Sequence, residues 1–163
     1  MIEVRRARPE EYAAVGELTA GAYLADGEMP AEDPYYDVLR DAADRAVAAD
    51  LWVAEDADGT LLGTVTWCPP ASPYRELAGP DESEFRALAV TPAGRGRGIG
   101  EALVRHCIGL AEVSGSAAIV ISTSAWMASA HRLYRRLGFV RAPERDWSPR
   151  PGLTLLALIR PLP

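Results

Sequence analysis

The sequence predicts an α/β protein built on a mixed sheet, with antiparallel and parallel strand pairs in one layer. Three observations lead there. Leu51-Trp52-Val53-Ala54-Glu55 and Leu61-Leu62-Gly63-Thr64-Val65-Thr66-Trp67 flank Asp56-Ala57-Asp58-Gly59-Thr60, a turn that makes them an antiparallel hairpin. Residues 84–90 and 118–122 are apolar strands separated by a whole helix, the spacing of a crossover between parallel neighbours. The 163 residues are 48% hydrophobic and 25% charged, an ordinary globular composition. A chain of that length buries roughly 70% of its unfolded surface and needs no disulfide staple.

In chain order, residues 2–6 alternate as a first strand. Ala7-Arg8-Pro9-Glu10-Glu11-Tyr12 opens a helix with proline and acids in its first turn, and Val15, Leu18 and Ala22 continue it on one face. Residues 21–39 form an interrupted acidic connection that carries Asp26, Glu28, Glu32, Asp33 and Asp37 with Tyr23, Tyr35 and Tyr36, and no arginine. A second helix is expected over 36–49, followed by the hairpin. Residues 69–82 are rich in proline and lack periodicity, so they read as a loop. Ile99, Leu103, Cys107, Leu110 and Ala111 stripe the crossover helix, and Ser114-Gly115-Ser116 stops it. Residues 125–137 make the next helix, closed by Gly138 with Phe139 behind it. Residues 139–142 and 153–159 supply the last two strands, joined by a connection over 143–152.

Charge and cysteine usage exclude several classes of function. The net charge of −6, carried against seventeen arginines and no lysine, disfavours nucleic acid and an anionic membrane surface as partners. No apolar run approaches the ~18 residues of a membrane span, and Met1-Ile2-Glu3-Val4-Arg5-Arg6 is not a leader, so a cytoplasmic protein is expected. Cys68 and Cys107 occur in unrelated contexts and read as small buried hydrophobes. His106 and His131 have no partners at ligand spacing, so no metal is expected.

The chemistry concentrates at Arg95-Gly96-Arg97-Gly98-Ile99-Gly100, between the strand at 84–90 and the helix that begins near Glu101. The first N–H groups of a helix lack intrahelical partners, and the macrodipole adds positive charge, so the junction is an anion site. Glycine admits close backbone approach, and Arg95 and Arg97 offer forked donors suited to a pyrophosphate. A Walker loop would need a lysine, and a dinucleotide G-x-G-x-x-G breaks at Leu103. The pattern that fits is R-x-x-G-x-G, at Arg95, Gly98 and Gly100, after a strand E-x-x-x-L-x-V at Glu84, Leu88 and Val90. Ala130-His131-Arg132-Leu133-Tyr134-Arg135-Arg136-Leu137-Gly138-Phe139 adds A-x-x-L-Y-x-x-L-G-F. In these motifs the sequence resembles the GCN5-related N-acetyltransferase (GNAT) family.

The resemblance implies one N-acetyltransferase domain over 1–163. Its fold would be a mostly antiparallel central sheet around a parallel strand-helix-strand core, with helices on both faces. It implies acetyl-CoA as co-substrate, held by the backbone of Leu88, Ala89 and Val90 and by Arg95, Gly96, Arg97, Gly98, Ile99, Gly100 and Glu101. Tyr134 would protonate the departing thiolate, and Glu84 would take the amine proton. Met127 stands where the family often has an asparagine that contacts the cofactor, with Ser124 and Ser129 as nearby polar substitutes. The acceptor would be a small primary amine, for which the acidic segment 21–39 suggests a cation. An acyl-CoA sensor or a protein N-acetyltransferase are the alternatives on this fold, and a homodimer is within what the family implies.

Overall fold

The computed structural model describes residues 1–27 and 29–163. Its frame is a sheet of eight strands: β1 (Glu3–Arg6), β2 (Asp50–Glu55), β3 (Leu61–Cys68), β4 (Glu82–Val90), β5 (Ala118–Ser124), β6 (Val140–Arg141), β7 (Trp147–Arg150) and β8 (Leu153–Pro161). The spatial order is β1-β2-β3-β4-β5-β8-β6, with β7 paired to β8. Among the described residues only β4 and β5 run parallel, because the helix between them returns the chain across the sheet. The other pairs are antiparallel.

Among the described residues the α-helices are α1 (Tyr12–Asp26), α2 (Tyr35–Arg40), α3 (Ala42–Ala48), α4 (Ile99–Val113) and α5 (Ala128–Arg136). Alternation along β2 shows that they lie on both faces. Leu51 and Val53 join a cluster with Val15 of α1 and Ala42 of α3, whereas Trp52 and Ala54 join the larger cluster with Leu103, Val104 and Cys107 of α4. Gly63 of β3 brings α4 onto the sheet, since a Cβ there would stand 2.6 Å from Ile99 Cγ2 and 3.0 Å from the Ala89 carbonyl. Both cysteines are buried free thiols. Among the described residues no helix is long and apolar enough to cross a membrane.

The elements differ from expectation at three places. A helix expected over 36–49 breaks at Asp41 (φ −83°, ψ 66°), whose carboxylate accepts from the Asp44 N–H and starts α3 as a separate helix. The helix expected from 125 begins at Ala128, because β5 extends to Ser124 in register with Leu155 of β8. The connection over 143–152 contains strand β7, which pairs Trp147 with Leu155.

Candidate active site

The site is built where β4 and β5 part. Their parallel pairing covers only Glu82↔Ala118, Ser83↔Ile119 and Glu84↔Val120, while β5 stays paired to β8 as far as Ser124. From Phe85 onward the β5-facing edge of β4 is therefore without a strand partner. A β-bulge accompanies the parting: Thr64 and Thr66 of β3 oppose Ala89 and Arg86, so β4 carries one extra residue there, and Ala87 adopts φ 54°. A left-handed non-glycine residue inside a strand is a strained feature that bends the strand and re-aims its neighbours. The parting opens a cleft of about 630 Å³ lined by Leu88, Ala89 and Val90 on one wall and by residues 126–130 on another.

The glycine loop closes one end of the cleft. Thr91 caps the turn Pro92–Gly94 by accepting from the Gly94 N–H at 3.0 Å. Gly96 and Gly98 then take φ 74° and 76°, left-handed values that cost about 1–2 kcal/mol per L-residue. Gly98 is the N-cap of α4, and its carbonyl accepts the first helical bond, from Ala102 N–H at 3.0 Å. The N–H groups of the first turn are thereby presented to the cleft with the positive end of the helix dipole. Arg95, Gly96, Gly98, Ile99, Gly100 and Glu101 line the cleft, whereas Arg97 is exposed and does not. Arg95 faces Asp26 at 3.5 Å, and Glu101 is held between Arg136 at 2.9 Å and Arg105 at 3.2 Å.

Tyr134 sits in the core behind this cleft. It is 6% exposed, and its ring packs between those of Phe85 and Phe139, with centroids at 6.1 and 5.6 Å. The helix end fixes it, since the Phe139 N–H returns to the Tyr134 carbonyl across Gly138 in the left-handed conformation. Burial pushes the phenol well above its ordinary range, and the Cys107 thiol adds to this. A phenol so placed stays protonated and can donate its proton. Tyr23 of α1 does line the cleft; its phenol is raised first by burial and then by its neighbours Tyr35 and Tyr134, against Arg86 and Arg45.

The structure corrects the role expected of Glu84. Its side chain is 1% exposed, and both carboxylate oxygens are taken by backbone N–H groups of the preceding loop. Glu76 N–H donates to Oε1 and Oε2 at 3.1 and 3.0 Å, Leu77 N–H to Oε1 at 3.0 Å and Ala78 N–H to Oε1 at 2.9 Å. A carboxylate saturated by donors and sealed from the cleft is an anchor for the loop, not a base. Glu82 does similar work beside it, accepting from Gly79 N–H at 2.9 Å and from Arg145 at 2.8 and 2.9 Å. The anchored loop lays Tyr74 and Glu76 against Arg86 of β4, a cluster that sequence reasoning missed. Its one signal was an arginine inside an otherwise apolar strand run.

Met127 and Ser129 both line the cleft, and Ser124 does not. Ser124 instead offers its carbonyl to His131 Nε2 at 2.9 Å, which ties the start of α5 to the end of β5. His106 packs on Trp52 with ring centroids 4.0 Å apart, and burial lowers its pKa.

A family model described as an acetyltransferase (GNAT) domain matches residues 48–141, more than half of the chain. Human N-acetylaspartate synthetase is 35% identical over 104 residues, 64% of this chain and 32% of that protein, so the chain spans about a third of this relative's length. Among solved structures, a GCN5-related N-acetyltransferase from Kribbella flavida superposes with a TM-score of 0.71 at 29% identity, covering 99% of this chain and 98% of that one. The PaiA N-acetyltransferase from Thermoplasma acidophilum, in complex with coenzyme A, has a TM-score of 0.77 at 15% identity and covers 99% of each chain; at that identity it shows the fold alone.

Proposed function

The chain belongs to the GNAT acetyltransferase family, and from that premise we propose that it is an enzyme that moves an acetyl group from acetyl-CoA to the nitrogen of a small primary amine. The observation that supports this most is the parting of β4 and β5 directly beside a glycine-started helix. One end of the cleft offers N–H donors and helix-dipole charge to a pyrophosphate, and the unpartnered edge of Leu88–Val90 offers strand-like bonds to an extended amide chain. Backbone donors at the bulge suit the oxyanion that develops on the thioester carbonyl.

The chemistry then needs few groups. The lone pair of the neutral amine attacks the carbonyl carbon, and the carbon–sulfur bond breaks with its electrons left on sulfur. In this reading the Tyr134 hydroxyl, which makes no hydrogen bond among the described residues, protonates the thiolate. The nitrogen gives up a proton to water, and Tyr134 is restored from solvent, so the net products are N-acetylamine and CoA thiol. Glu84 has no part in these transfers.

The cationic character expected of the acceptor rested on the carboxylates of segment 21–39. Arg150 Nη2 lies 2.6 Å from Asp33, Arg95 3.5 Å from Asp26 and Arg40 3.8 Å from Asp37, while Glu28 lies outside the described residues. Paired carboxylates project a weaker field than isolated ones, so we propose a small primary amine and do not derive its charge from this segment. The name N-acetylaspartate synthetase points to an amino acid for that relative. Calorimetric titration with acetyl-CoA, followed by free-thiol release on addition of amines, tests the proposal. Absence of both acetyl-CoA binding and amine-dependent thiol release would refute it.

A further inference from the structure

Arg86, the residue just before the bulge of β4, gathers a cluster of side chains from α2 and from the loop over 69–82. Its Nη2 donates to the Tyr35 hydroxyl at 2.9 Å and its Nη1 to the Tyr74 carbonyl at 3.4 Å, with the guanidinium 5.7 Å from the centre of the Tyr74 ring. Glu76 lies 3.5 Å from Nη1, too far for a strong charge-assisted bond. Arg45 of α3 stands close by, only 2% exposed; its Nη1 donates to the carbonyls of Val38 and Leu39, and its Nε has no partner among the described residues.

The direct partners of the two guanidiniums are mostly neutral. Among the described residues Glu76 is the one carboxylate within ion-pair distance of either, and burial holds it above the usual carboxylate range; the Glu84 carboxylate lies near Glu76 but is taken by loop N–H groups. Burial keeps the Tyr23 and Tyr74 phenols neutral, and it keeps the Cys68 thiol neutral by pushing it up to about 12. Asp44, a further carboxylate nearby, is exposed and accepts from the Tyr74 hydroxyl. A guanidinium held mainly by neutral acceptors can make stronger, charge-assisted bonds to an anionic ligand group. Arg86 has donors left over, and its side chain keeps 19% of its surface. Tyr23 connects the two regions, because it lines the cleft and neighbours Tyr134 as well as Tyr35 and Arg86.

We propose that Arg86, framed by Tyr35 and Tyr74, binds a carboxylate of the acceptor, which makes the acceptor an amino acid or another amine with a carboxylate a few bonds from its nitrogen. The inference rests on the N-acetyltransferase reading above. Arg86 sits one residue before the bulge and two before Leu88, so a carboxylate held there leaves a nearby amine at the mouth of the β4–β5 parting.

The test compares kcat/KM, per free amine, for α-amino acids, the same compounds as carboxamides, and diamines without a carboxylate. Wild-type protein should prefer the acids to their carboxamides by about 10-fold or more, because a buried donor set left unpaired rejects the analogue. Arg86→Gln should bring that ratio near one through KM, with acetyl-CoA affinity unchanged by calorimetry, and Arg86→Lys should restore part of it. If carboxamides or diamines are used as well as the acids, or if Arg86→Gln lowers all classes equally, the proposal is overturned while the enzyme activity stands. Should Arg86→Gln fail to fold, the wild-type ratio decides alone. No acetyl-CoA binding and no acetylated amine in the whole panel would instead overturn the underlying N-acetyltransferase reading, and this inference with it.

Discussion

At the scale of single residues the proposed chemistry rests on Tyr134 and Gly98, and each gives a separable prediction. Tyr134→Phe keeps the ring between Phe85 and Phe139 and removes only the proton, so kcat should fall by roughly 10²–10⁴ with acetyl-CoA affinity little changed. Steady-state rates at saturating acceptor check this, and wild-type turnover would remove Tyr134 from the mechanism. Gly98→Val places a β-branched residue at φ 76° and distorts the loop that presents the first N–H groups of α4. Acetyl-CoA affinity should drop by about 1.5–3 kcal/mol, the loss of a bond to a charged group, in a protein that still unfolds cooperatively. The placement of both residues was legible in the sequence, Gly98 at the start of α4 and Tyr134 near the end of α5, because a short motif fixes each one. Glu84 was misread for a physical reason: its motif position is the same whether its oxygens face a substrate or three loop amides, and only the path of residues 69–82 decides. Arg86 escaped notice because its meaning depends on Tyr35 and Tyr74, which are distant in sequence.

At the scale of elements, the loop over 69–82 is held by acids rather than by a core of its own. Glu84→Gln replaces an oxygen by an NH₂ group that must face N–H donors, so stability should fall by about 1.5–3 kcal/mol and the loop should become open to proteolysis. Denaturant midpoints and limited digestion measure this. A variant with full stability and no activity would return Glu84 to the role of base. Strands and helices with a clear period were read correctly in kind and nearly in extent, as β2, β3 and α4 show. The break at Asp41 and the bulge at Ala87 were not readable. Asp41 ends one helix and caps the next with the same residue, which leaves the apolar spacing intact, and alanine carries no preference for positive φ that could mark a bulge.

For the whole molecule, the mixed sheet follows from a hairpin and a crossover, which is why its class and its parallel core were legible from local signals. Strand β7 was not, because Pro149 and Gly152 mask a short edge pair. Acid stability is a property of the same scale, since it sums over ion pairs spread across the molecule. The Arg5 guanidinium, by hydrogen bonding, lowers Glu11 from 4.5 to about 2, and Arg141 with the Ala157 N–H lowers Asp146 from 3.8 to about 2. Carboxylates depressed in the folded state stabilise it above their unfolded pKa values, and that contribution fades as pH falls from about 4.5 toward 2. Urea midpoints should therefore decline across that window, and Glu11→Gln or Asp146→Asn should flatten the decline; an unaltered slope in both variants would contradict the assignment. The central claim is transfer from a thioester to an amine in the β4–β5 cleft, and isotope tracing tests it most directly. Acetyl-CoA labelled with carbon-13 in the acetyl group, incubated with the protein and the amine panel, should give one labelled amide per free thiol released, with the yield strongly reduced in Gly98→Val. Thiol release without labelled amide, or equal labelling in Gly98→Val, would contradict it.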